Sequence, residues 1–336
     1  MTGSERFKKI MNGEKVDRLP VFEWAPWWDQ TVRRWEGEGL SFRKYNDWRD
    51  GYVLQRQMGL DGCMQTIYNV RTAATPRAKS HGAGIIQSAE DYEKIKPTLY
   101  PDIATLYDDS RYAALDEMRA DGETVHFFTV EGFFWFAREL FGIEPHLYSF
   151  YDEPELLHQM CDDYATWLET ALNDICDRYT FDFMSFAEDM SYNNGPMLGK
   201  DLFDEFLAPY YRRVIPILKK RGIPVFIDSD GDITKAVDWY AEVGADGMFP
   251  LERQAGVDVS LYIEKHPDMA FLGHYDKMCM KFGEEAMRAE FERLLPSAKK
   301  GKLFIGVDHQ TPPDVSVENY KIFVKLFKEY AAKIND

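Results

Sequence analysis

Short β-rich stretches alternate along the chain with longer stretches whose apolar residues recur at helical spacing. Runs of about four to eight residues that are rich in β-branched and aromatic side chains, and are bounded by turn residues, are typical of buried strands. Eight such runs are present, at 19–24, 62–68, 124–130, 181–187, 223–228, 246–250, 269–273 and 302–307. Amphipathic stretches that predict helices lie between most of them, at 152–178, 199–220, 232–243, 283–299 and 316–333.

Eight strands with intervening helices predict a parallel sheet of the α/β class, closed as a (β/α)8 TIM barrel. Residues 1–18 predict a short helix before the barrel, an N-terminal helical extension. The alternative is a doubly wound open sheet, which usually carries a glycine-rich phosphate turn after its first strand. The stretch LPVFEWAPWW at 19–28 has no such turn, which favours the barrel. No linker divides the chain, so we expect one domain over residues 1–336.

The chain has 336 residues, of which 45% are hydrophobic and 29% charged, with a net charge of −17. Nucleic acid and anionic membranes would be repelled by that charge, so we expect neither as a partner. No apolar run approaches the roughly 20 residues of a membrane span, and the polar start lacks the pattern of a signal peptide. The four cysteines are widely spaced, which indicates reduced thiols in a cytoplasmic protein.

Ionisable or aromatic residues follow nearly every predicted strand. Because active sites of TIM barrels lie at the C-terminal ends of the strands, we expect these residues to converge. They include Glu23, Trp24, Trp27, Trp28, Tyr68, Glu131, Glu188, Asp189, Asp228, Asp230, His274, Asp308 and His309. Several carboxylates and two histidines predict a divalent metal site, with Zn²⁺ favoured by ligands of these types. The chain contains no serine-nucleophile, Walker A or HExxH motif.

Simpler structural roles are open for the same residues. The segment 228–232 could cap a helix that begins near Ile233, because Asp and Ser are preferred N-caps. Asn194 stands in Asn-Asn-Gly-Pro and is first of all a turn residue. The tryptophans suit packing beneath a lid as well as stacking on a ligand. Structural roles in loops or in the core are equally open for Glu188, Asp189, His274 and His309.

Several long segments give the chain a family resemblance. They are ERFKKIMNGEKVDRLPVFEW at 5–24, EDMSYNNGPMLGKDLFDEFLAPYYRRV at 188–214, and a tail that runs from IPVFIDSDGDI at 223–233 through ADGMFPLERQAGVDV and LGHYDK to GVDHQTPPDVSVENY at 306–320. Together they resemble the uroporphyrinogen decarboxylase superfamily, and within it the corrinoid-dependent methyltransferases rather than the true decarboxylases. The resemblance implies a (β/α)8 barrel, in agreement with the strand count.

The chain departs from both enzyme types of that superfamily. The true decarboxylases carry an Arg-rich first loop, an Asp after strand two and a Tyr after strand three, where this chain has APWWDQT, Tyr68 and about Arg138. The thiol methyltransferases bind zinc through His-x-Cys after strand five and a later Cys. The corresponding positions here are Asp228-x-Asp230 and His309. A harder, oxygen-rich site suits polarising an oxygen, such as the ether oxygen of a methoxy donor.

The resemblance and these departures imply methyl transfer between a small methylated compound and the cobalt of a corrinoid on a partner protein. An aryl methyl ether undergoing O-demethylation is the expected donor. The metal ligands implied are Asp228, Asp230 and His309, with Zn²⁺ as a candidate ion. The expected catalytic residues are His309, Asp230, His274 and Glu188, with His309 or His274 as an acid if no metal serves. The expected substrate-binding residues are Trp24, Trp27, Trp28, Tyr68, Glu131, Asp189, Tyr192 and Asn194.

Two other functions remain open at this point. The first is a decarboxylase, a lyase that acts on an aromatic or tetrapyrrole carboxylic acid. A polycarboxylate substrate needs several Arg or Lys side chains at the strand ends, which are mostly acidic or aromatic here. The second is a ligand-binding barrel without catalytic activity.

Overall fold

The computed structural model describes residues 1–25, 27–40 and 49–336. The strands are β1 Gly62–Ile67, β2 Thr124–Glu131, β3 Phe183–Ala187, β4 Ser191–Tyr192, β5 Gly195–Pro196, β6 Val225–Asp228, β7 Gly247–Phe249, β8 Ala270–Tyr275 and β9 Lys302–Val307. The α-helices are α1 Gly3–Met11, α2 Asp29–Gly37, α3 Asp50–Gln57, α4 Ala89–Ile95, α5 Ile103–Leu106, α6 Asp109–Met118, α7 Phe133–Phe141, α8 Ile143–Asp152, α9 Pro154–Arg178, α10 Lys200–Phe206, α11 Ala208–Lys219, α12 Ala236–Glu242, α13 Val259–Lys265, α14 Glu284–Lys300 and α15 Val317–Ala332. None of the helices in the described ranges is both long enough and apolar enough to span a bilayer.

Seven strands form one sheet in the order β1-β2-β3-β6-β7-β8-β9, and β4 and β5 form a separate hairpin. The pairs β3–β6, β7–β8 and β8–β9 are parallel. Helices follow most of these strands, as right-handed crossovers between parallel strands require. The predicted α/β class of the TIM-barrel type is therefore confirmed. Seven of the eight predicted strands are present, with bounds close to those expected.

The chain divides into two compact units. The first comprises Met1–Gln65, Met118–Phe127 and Gly247–Asp336. Its buried aromatic side chains include Phe291, which stacks on Tyr330 at 5.2 Å between ring centroids. The second comprises Thr66–Glu117 and Phe128–Asp246, where α9 packs on α11 and buries residues such as Leu168 and Val214. That residues 1–336 form one domain stays a prediction.

The predicted N-terminal helix is confirmed as α1. Thr2 caps it, because the Thr2 hydroxyl accepts from the Glu5 amide while the Glu5 carboxylate accepts from the Thr2 amide. Such a capping box satisfies two amides that the helix itself cannot satisfy. Arg6, on the buried side, forms a salt bridge with Asp17 at 2.7 Å. These interactions hold the helix against the segment that follows it.

The predicted strand at 19–24 was wrong, since none of these described residues is in a strand. Pro20 has no amide hydrogen to donate. The Val21 amide donates to the Asp61 carboxylate at 2.8 Å, although the Val21 carbonyl does accept from the Asp61 amide. Arg18 also binds the Asp61 carboxylate. A side chain therefore takes the donor that a continuous ladder would need.

Two other boundaries differ from the prediction. The helix expected at 199–220 is two helices, because the chain leaves helical geometry at Leu207 and Pro209 starts a new first turn. A proline is well tolerated in the first turn of a helix, where its missing amide hydrogen is not needed. Strand β8 extends to Tyr275, so His274 lies within the strand and not after it. His274 has a positive φ of 68°.

Candidate functional site

The C-terminal ends of β1, β2, β3 and β6, all in the second unit, lie along one edge of the sheet. Ala187 of β3 is in register with Asp228 of β6. The Gly132 amide, just after β2, donates to the Ala187 carbonyl at 2.7 Å. The Tyr68 amide, just after β1, donates to the Thr129 carbonyl at 2.9 Å. Residues that follow these four strands are therefore brought together, as expected for a parallel sheet.

Three carboxylates meet where β3 and β6 end. Asp189, Asp228 and Asp230 each offer an oxygen, and these oxygens all lie within 4.8 Å of one another. Burial raises the pKa of Asp228 well above its ordinary value, and the neighbouring charges of Asp189 and Asp230 raise it further. Three converging carboxylate oxygens of this kind suit a divalent cation, which would relieve their mutual repulsion. We call these three residues the aspartate cluster.

Backbone hydrogen bonds position the aspartate cluster. The amides of Glu188 and Asp189 both donate to the Asp228 carbonyl, and the Asp230 amide donates to Asp189 Oδ1 at 3.2 Å. Asp189 adopts a positive φ of 40°, a conformation that Asp tolerates better than most residues. Arg138 Nη1 donates to the Asp189 carbonyl at 3.3 Å. The loop after β3 is thereby tied to β6.

The hairpin β4–β5 packs against the segment that follows Asp230. The Asp232 amide donates to the Tyr192 carbonyl at 2.9 Å. Gly231 has a φ of 80°, and a Cβ there would lie 2.7 Å from the Tyr192 backbone, so only glycine fits. Asn194 lies in the two-residue turn of this hairpin, as predicted, and its side chain is exposed, like that of Tyr192. Their substrate-binding role stays a prediction.

The capping alternative for residues 228–232 concerns Asp232 and not the aspartate cluster. Asp232 Oδ1 accepts from the Thr234 amide at 2.9 Å and from the Thr234 hydroxyl. Asp228 and Asp230 instead face Asp189. The predicted cap was wrong, because α12 begins only at Ala236 and has Lys235 as its N-cap without a side-chain hydrogen bond, so Asp232 stabilises a turn before the helix.

Glu188 is fully buried beside the aspartate cluster and binds the start of α7. Its Oε2 accepts from the amides of Phe134 and Trp135, at 3.1 and 3.4 Å. The Tyr240 hydroxyl donates to Oε1 at 3.1 Å, and the Tyr211 hydroxyl also bonds this carboxyl. Burial raises the pKa of Glu188 to about 8 against these opposing hydrogen bonds. The geometry favours a structural role here, and the catalytic role stays a prediction.

Glu131 ends β2 and forms an ion pair with Arg71. Arg71 also donates to Glu139 at 2.9 Å, so one guanidinium lies between two carboxylates. Glu131 Oε2 is buried and has no hydrogen-bond partner among the described residues. Burial raises the pKa of Glu131 to about 7, although the Arg71 charge opposes this. Local sequence does not single out Arg71, because its partners lie 60 and 68 residues away along the chain.

Tyr68 is fully buried at the end of β1. Its hydroxyl lies 3.0 Å from that of Tyr112, and its ring meets Tyr107 edge to face at 5.3 Å. Burial raises the pKa of Tyr68, so this phenol stays neutral. Packing within this aromatic group accounts for Tyr68, whose predicted contact with substrate is untested.

In the first unit, the tryptophans differ in their surroundings. Trp27 is buried and donates to Glu23 Oε2 at 2.7 Å, and the Tyr320 hydroxyl donates to the same oxygen at 3.0 Å. Burial raises the pKa of Glu23 to about 7. The indole nitrogen of Trp24 is buried without a hydrogen-bond partner among the described residues. Trp28 is 41% exposed. Trp24 is therefore the tryptophan with an unsatisfied polar atom.

His274 and His309 also lie in the first unit. His274 is fully buried: Nδ1 lies 3.1 Å from the Leu251 carbonyl, and Nε2 accepts from the Val259 amide and from Arg293. Burial lowers the pKa of His274 to about 4, and the Arg293 charge lowers it further. Both ring nitrogens are thus occupied by hydrogen bonds of the neutral form, which favours a structural role.

His309 is partly exposed and meets the Trp24 ring edge to face at 6.0 Å. The preceding Asp308 is fully buried and accepts from the Arg253 amide at 2.8 Å and from Lys277 Nζ at 3.2 Å. Asp308 thereby fixes the loop that carries His309. That His309 shares a metal ion with Asp228 and Asp230 stays a prediction.

The structure adds two features that the sequence did not reveal. Asp189 joins Asp228 and Asp230 through a carboxylate oxygen, where only a substrate contact was expected. Asp189 follows β3, and β3 pairs with β6. That pairing is the signal that could have revealed the contact with Asp228 and Asp230. Arg71 pairs with Glu131, and no local sequence pattern indicates that contact.

Comparisons with known proteins agree with the resemblance. The family model for uroporphyrinogen decarboxylase (URO-D) matches residues 85–330. The curated uroporphyrinogen decarboxylase of Prochlorococcus marinus (strain NATL1A) is 23% identical over 194 residues, covering 53% of this chain and 49% of that protein. That of Hydrogenobaculum sp. (strain Y04AAS1) is 27% identical over 142 residues, covering 39% and 38%. The chain thus matches about half the length, or less, of these curated relatives.

Among solved structures, a methyltransferase from Methanosarcina mazei has a similar fold. Its TM-score is 0.66 at 14% sequence identity, and the alignment covers 98% of this chain and 99% of that one. At this level of identity the likeness concerns the fold. It supports the barrel-type architecture over nearly the whole chain.

Proposed function

Because this chain belongs to the uroporphyrinogen decarboxylase family, we propose that it is a methyltransferase of that family's fold. The donor is an aryl methyl ether, and the methyl acceptor is the cobalt of a corrinoid carried by a partner protein. The observation that carries the proposal is the aspartate cluster, an oxygen-donor site at the ends of β3 and β6. An all-oxygen site suits an oxygen-containing substrate better than a thiol. The similar fold of the Methanosarcina mazei methyltransferase supports the reaction class.

The aspartate cluster fits a divalent cation. Its oxygens lie within 4.8 Å of one another, which ligands at about 2.0–2.6 Å from one ion can achieve. Asp228 and Asp230 are the proposed ligands, with Asp189 beside them, and His309 is retained from the predicted set. Such an ion would supply a Lewis acid for an oxygen atom of the donor.

The chain's own residues bind and orient the donor. Trp24, Trp28 and Tyr192 are the proposed stacking surfaces, because aromatic faces hold planar rings. Trp27 is buried and held by its bond to Glu23, and it is retained as a predicted substrate contact. The remaining proposed substrate contacts are Tyr68, Glu131, Asp189 and Asn194. If no metal serves, His309 is the better acid of the two predicted histidines, since His274 is neutral and fully engaged.

The reaction is tested by mixing the purified protein with a reduced corrinoid protein and a panel of methoxyaromatic compounds. We expect the absorption spectrum of the corrinoid to change to that of its methylated form with at least one donor. A homologous system of known activity is the positive control. If that control reacts and none of the donors methylates the corrinoid, the proposal is wrong.

The metal is tested separately, by elemental analysis of protein purified without chelators. The Asp230→Asn variant should lose most of the bound cation. Asp232→Asn is the matched control, because Asp232 accepts a hydrogen bond from the Thr234 amide and does not belong to the aspartate cluster. Equal metal content in the two variants would remove Asp230 from the ligand set.

The competing function is a decarboxylase, which the curated relatives favour. It needs cationic side chains that are available to carboxylates. Arg71 lies beside the end of β2, where two glutamates of the chain already bind it, and Arg138 donates to the Asp189 carbonyl. That arrangement supports methyl transfer over decarboxylation.

A further inference from the structure

Glu131 has a polar atom that the fold leaves unused. Its side chain is only 10% exposed, and Arg71 binds its Oε1. Its Oε2 is buried and has no hydrogen-bond partner within the described residues. A buried carboxyl oxygen without a partner is costly unless it carries a proton or meets a ligand. Its position therefore calls for an explanation beyond packing.

Glu131 faces the same side of the sheet as the aspartate cluster. Two residues earlier, the hydroxyls of Thr129 and Ser185 lie 2.7 Å apart, so β2 and β3 point these side chains to one face. Since alternate residues share a face, Glu131 and Ala187 point the same way, as does Asp228, which is in register with Ala187.

One small residue stands between Glu131 and Asp228 on this face of the sheet. They stand on β2 and β6 with β3 between them, so two strand spacings separate their backbones by about 10 Å. The residue between them on that face is Ala187, whose side chain is a single methyl group. A substituted aromatic ring fits a gap of this size, with one polar edge at each carboxyl group.

We infer that Glu131 is a catalytic residue that protonates the oxygen leaving the methyl group, an inference that rests on the proposed function. As the methyl group passes from the donor oxygen to its acceptor, the carbon–oxygen bond breaks and its electron pair stays on oxygen. The Oε2 proton passes to that oxygen and gives a neutral phenol. Glu131 is left as a carboxylate and regains a proton from solvent.

Arg71 stabilises Glu131 after its proton has left, so that Glu131 can lose and regain the proton in each cycle. Once Glu131 has lost its proton, its carboxylate pairs with the Arg71 guanidinium that already binds Oε1. The charged group that opposes Arg71 is Glu139, and Tyr164 contacts Glu131 only through the backbone carbonyl, at 2.7 Å. Burial and Glu139 raise the pKa of Glu131 to about 7, so both protonation states are accessible near neutral pH.

The test uses Glu131→Gln with a series of aryl methyl ethers whose phenols differ in acidity. Loss of a general acid should slow demethylation of donors with weakly acidic phenols by about 10²- to 10⁴-fold. Donors with strongly acidic phenols, such as nitrophenyl methyl ethers, need no proton and should react at nearly the wild-type rate. Glu139→Gln is the matched control, since it removes the other carboxylate from Arg71 but leaves the Glu131 carboxyl group in place, and it should slow the donors with weakly acidic phenols by only a few-fold.

A second readout does not depend on turnover. Subtracting the infrared spectrum of Glu131→Gln from that of the wild type removes the contribution of Glu23, whose pKa is also about 7, and should leave a carboxylic acid band that disappears as pH rises through about 7. An equal loss of rate for all donors in Glu131→Gln, or an infrared band unchanged by that substitution, would overturn the inference while leaving the methyltransferase proposal intact. A wild-type protein that demethylates no donor would overturn both.

Discussion

The close approach of Gly132 to Glu188 gives the most stringent test of how the strand ends are held. Gly132 is the N-cap of α7, and a Cβ placed there would overlap Glu188 Oε2 and lie 2.8 Å from the Tyr211 hydroxyl. The φ of −77° and ψ of 169° suit any residue, so the substitution Gly132→Ala costs nothing in backbone strain. Its main effect is to displace the Glu188 carboxyl group, and it crowds the Tyr211 hydroxyl as well.

The magnitude follows from the bonds that are lost. Moving Oε2 away leaves the amides of Phe134 and Trp135 without the acceptor they now share. A buried donor that loses its partner costs about 1–3 kcal/mol, so we expect Gly132→Ala to lower the free energy of unfolding by about 3–5 kcal/mol. Gly199 is the matched control. It is also a helix N-cap, with φ −80° and ψ 161°, but a Cβ there would meet nothing within 4 Å. Gly199→Ala should change stability by less than about 1 kcal/mol.

The assay is urea unfolding followed by circular dichroism, for both glycine variants, for Glu188→Ala and for the double variant. Because the alanine at 132 acts mainly through the Glu188 side chain, the double variant should lose much less stability than the sum of the two single losses. Equal losses in the two glycine variants would contradict this reasoning. So would strictly additive losses at 132 and 188.

Three further predictions concern separate features. Burial raises the pKa of Glu23 to about 7, so the folded state binds the Glu23 proton more tightly than the unfolded state does. The free energy of unfolding therefore falls as pH rises from about 4.5 to 7. Urea unfolding across this pH range should show that Glu23→Gln makes the fall smaller by about 3 kcal/mol. Gly231→Ala should reduce both metal content and stability, because a Cβ there would lie 2.7 Å from the backbone of the facing hairpin. The control Gly222→Ala, at a φ of 70° and with no neighbour within 4 Å, should lower stability alone. Equal metal content in the two variants would contradict the contact at Gly231. A double-mutant cycle between Thr129→Val and Ser185→Ala should give a coupling of about 0.5–1.5 kcal/mol from the hydrogen bond between their hydroxyls, and zero coupling would place the two side chains apart.

Much of the fold could be predicted from local pattern, because buried parallel strands are continuous apolar runs. Strand β9 at Lys302–Val307 was expected with the same bounds, and β2 within one residue. The run at 19–24 has the same composition and is not a strand, because the Asp61 carboxylate binds the Val21 amide. That carboxylate lies 40 residues away in sequence, so no local pattern could reveal its effect.

The candidate site could be predicted only in part, for a related reason. The spacing of Asp228 and Asp230 after a strand marked them as a pair, and the structure places a third carboxylate, Asp189, beside them. Contacts between helices and strands that are distant in sequence decide which carboxylates already have hydrogen-bond or ion-pair partners. Glu188 accepts hydrogen bonds from the amides of α7, whereas Glu131 forms an ion pair with Arg71. Two glutamates at neighbouring strand ends therefore have different surroundings and different chemical roles.

A methoxybenzoate that carries one isotope in its methoxyl carbon and another in its carboxyl carbon tests the central claim most directly. The protein is incubated with this donor and a reduced corrinoid protein, and mass spectrometry follows both labels. Methyl transfer predicts that the methoxyl label appears on the corrinoid while the carboxyl label stays on the ring. Release of the carboxyl label as carbon dioxide, with the methoxyl group intact, would contradict methyl transfer and identify a decarboxylase.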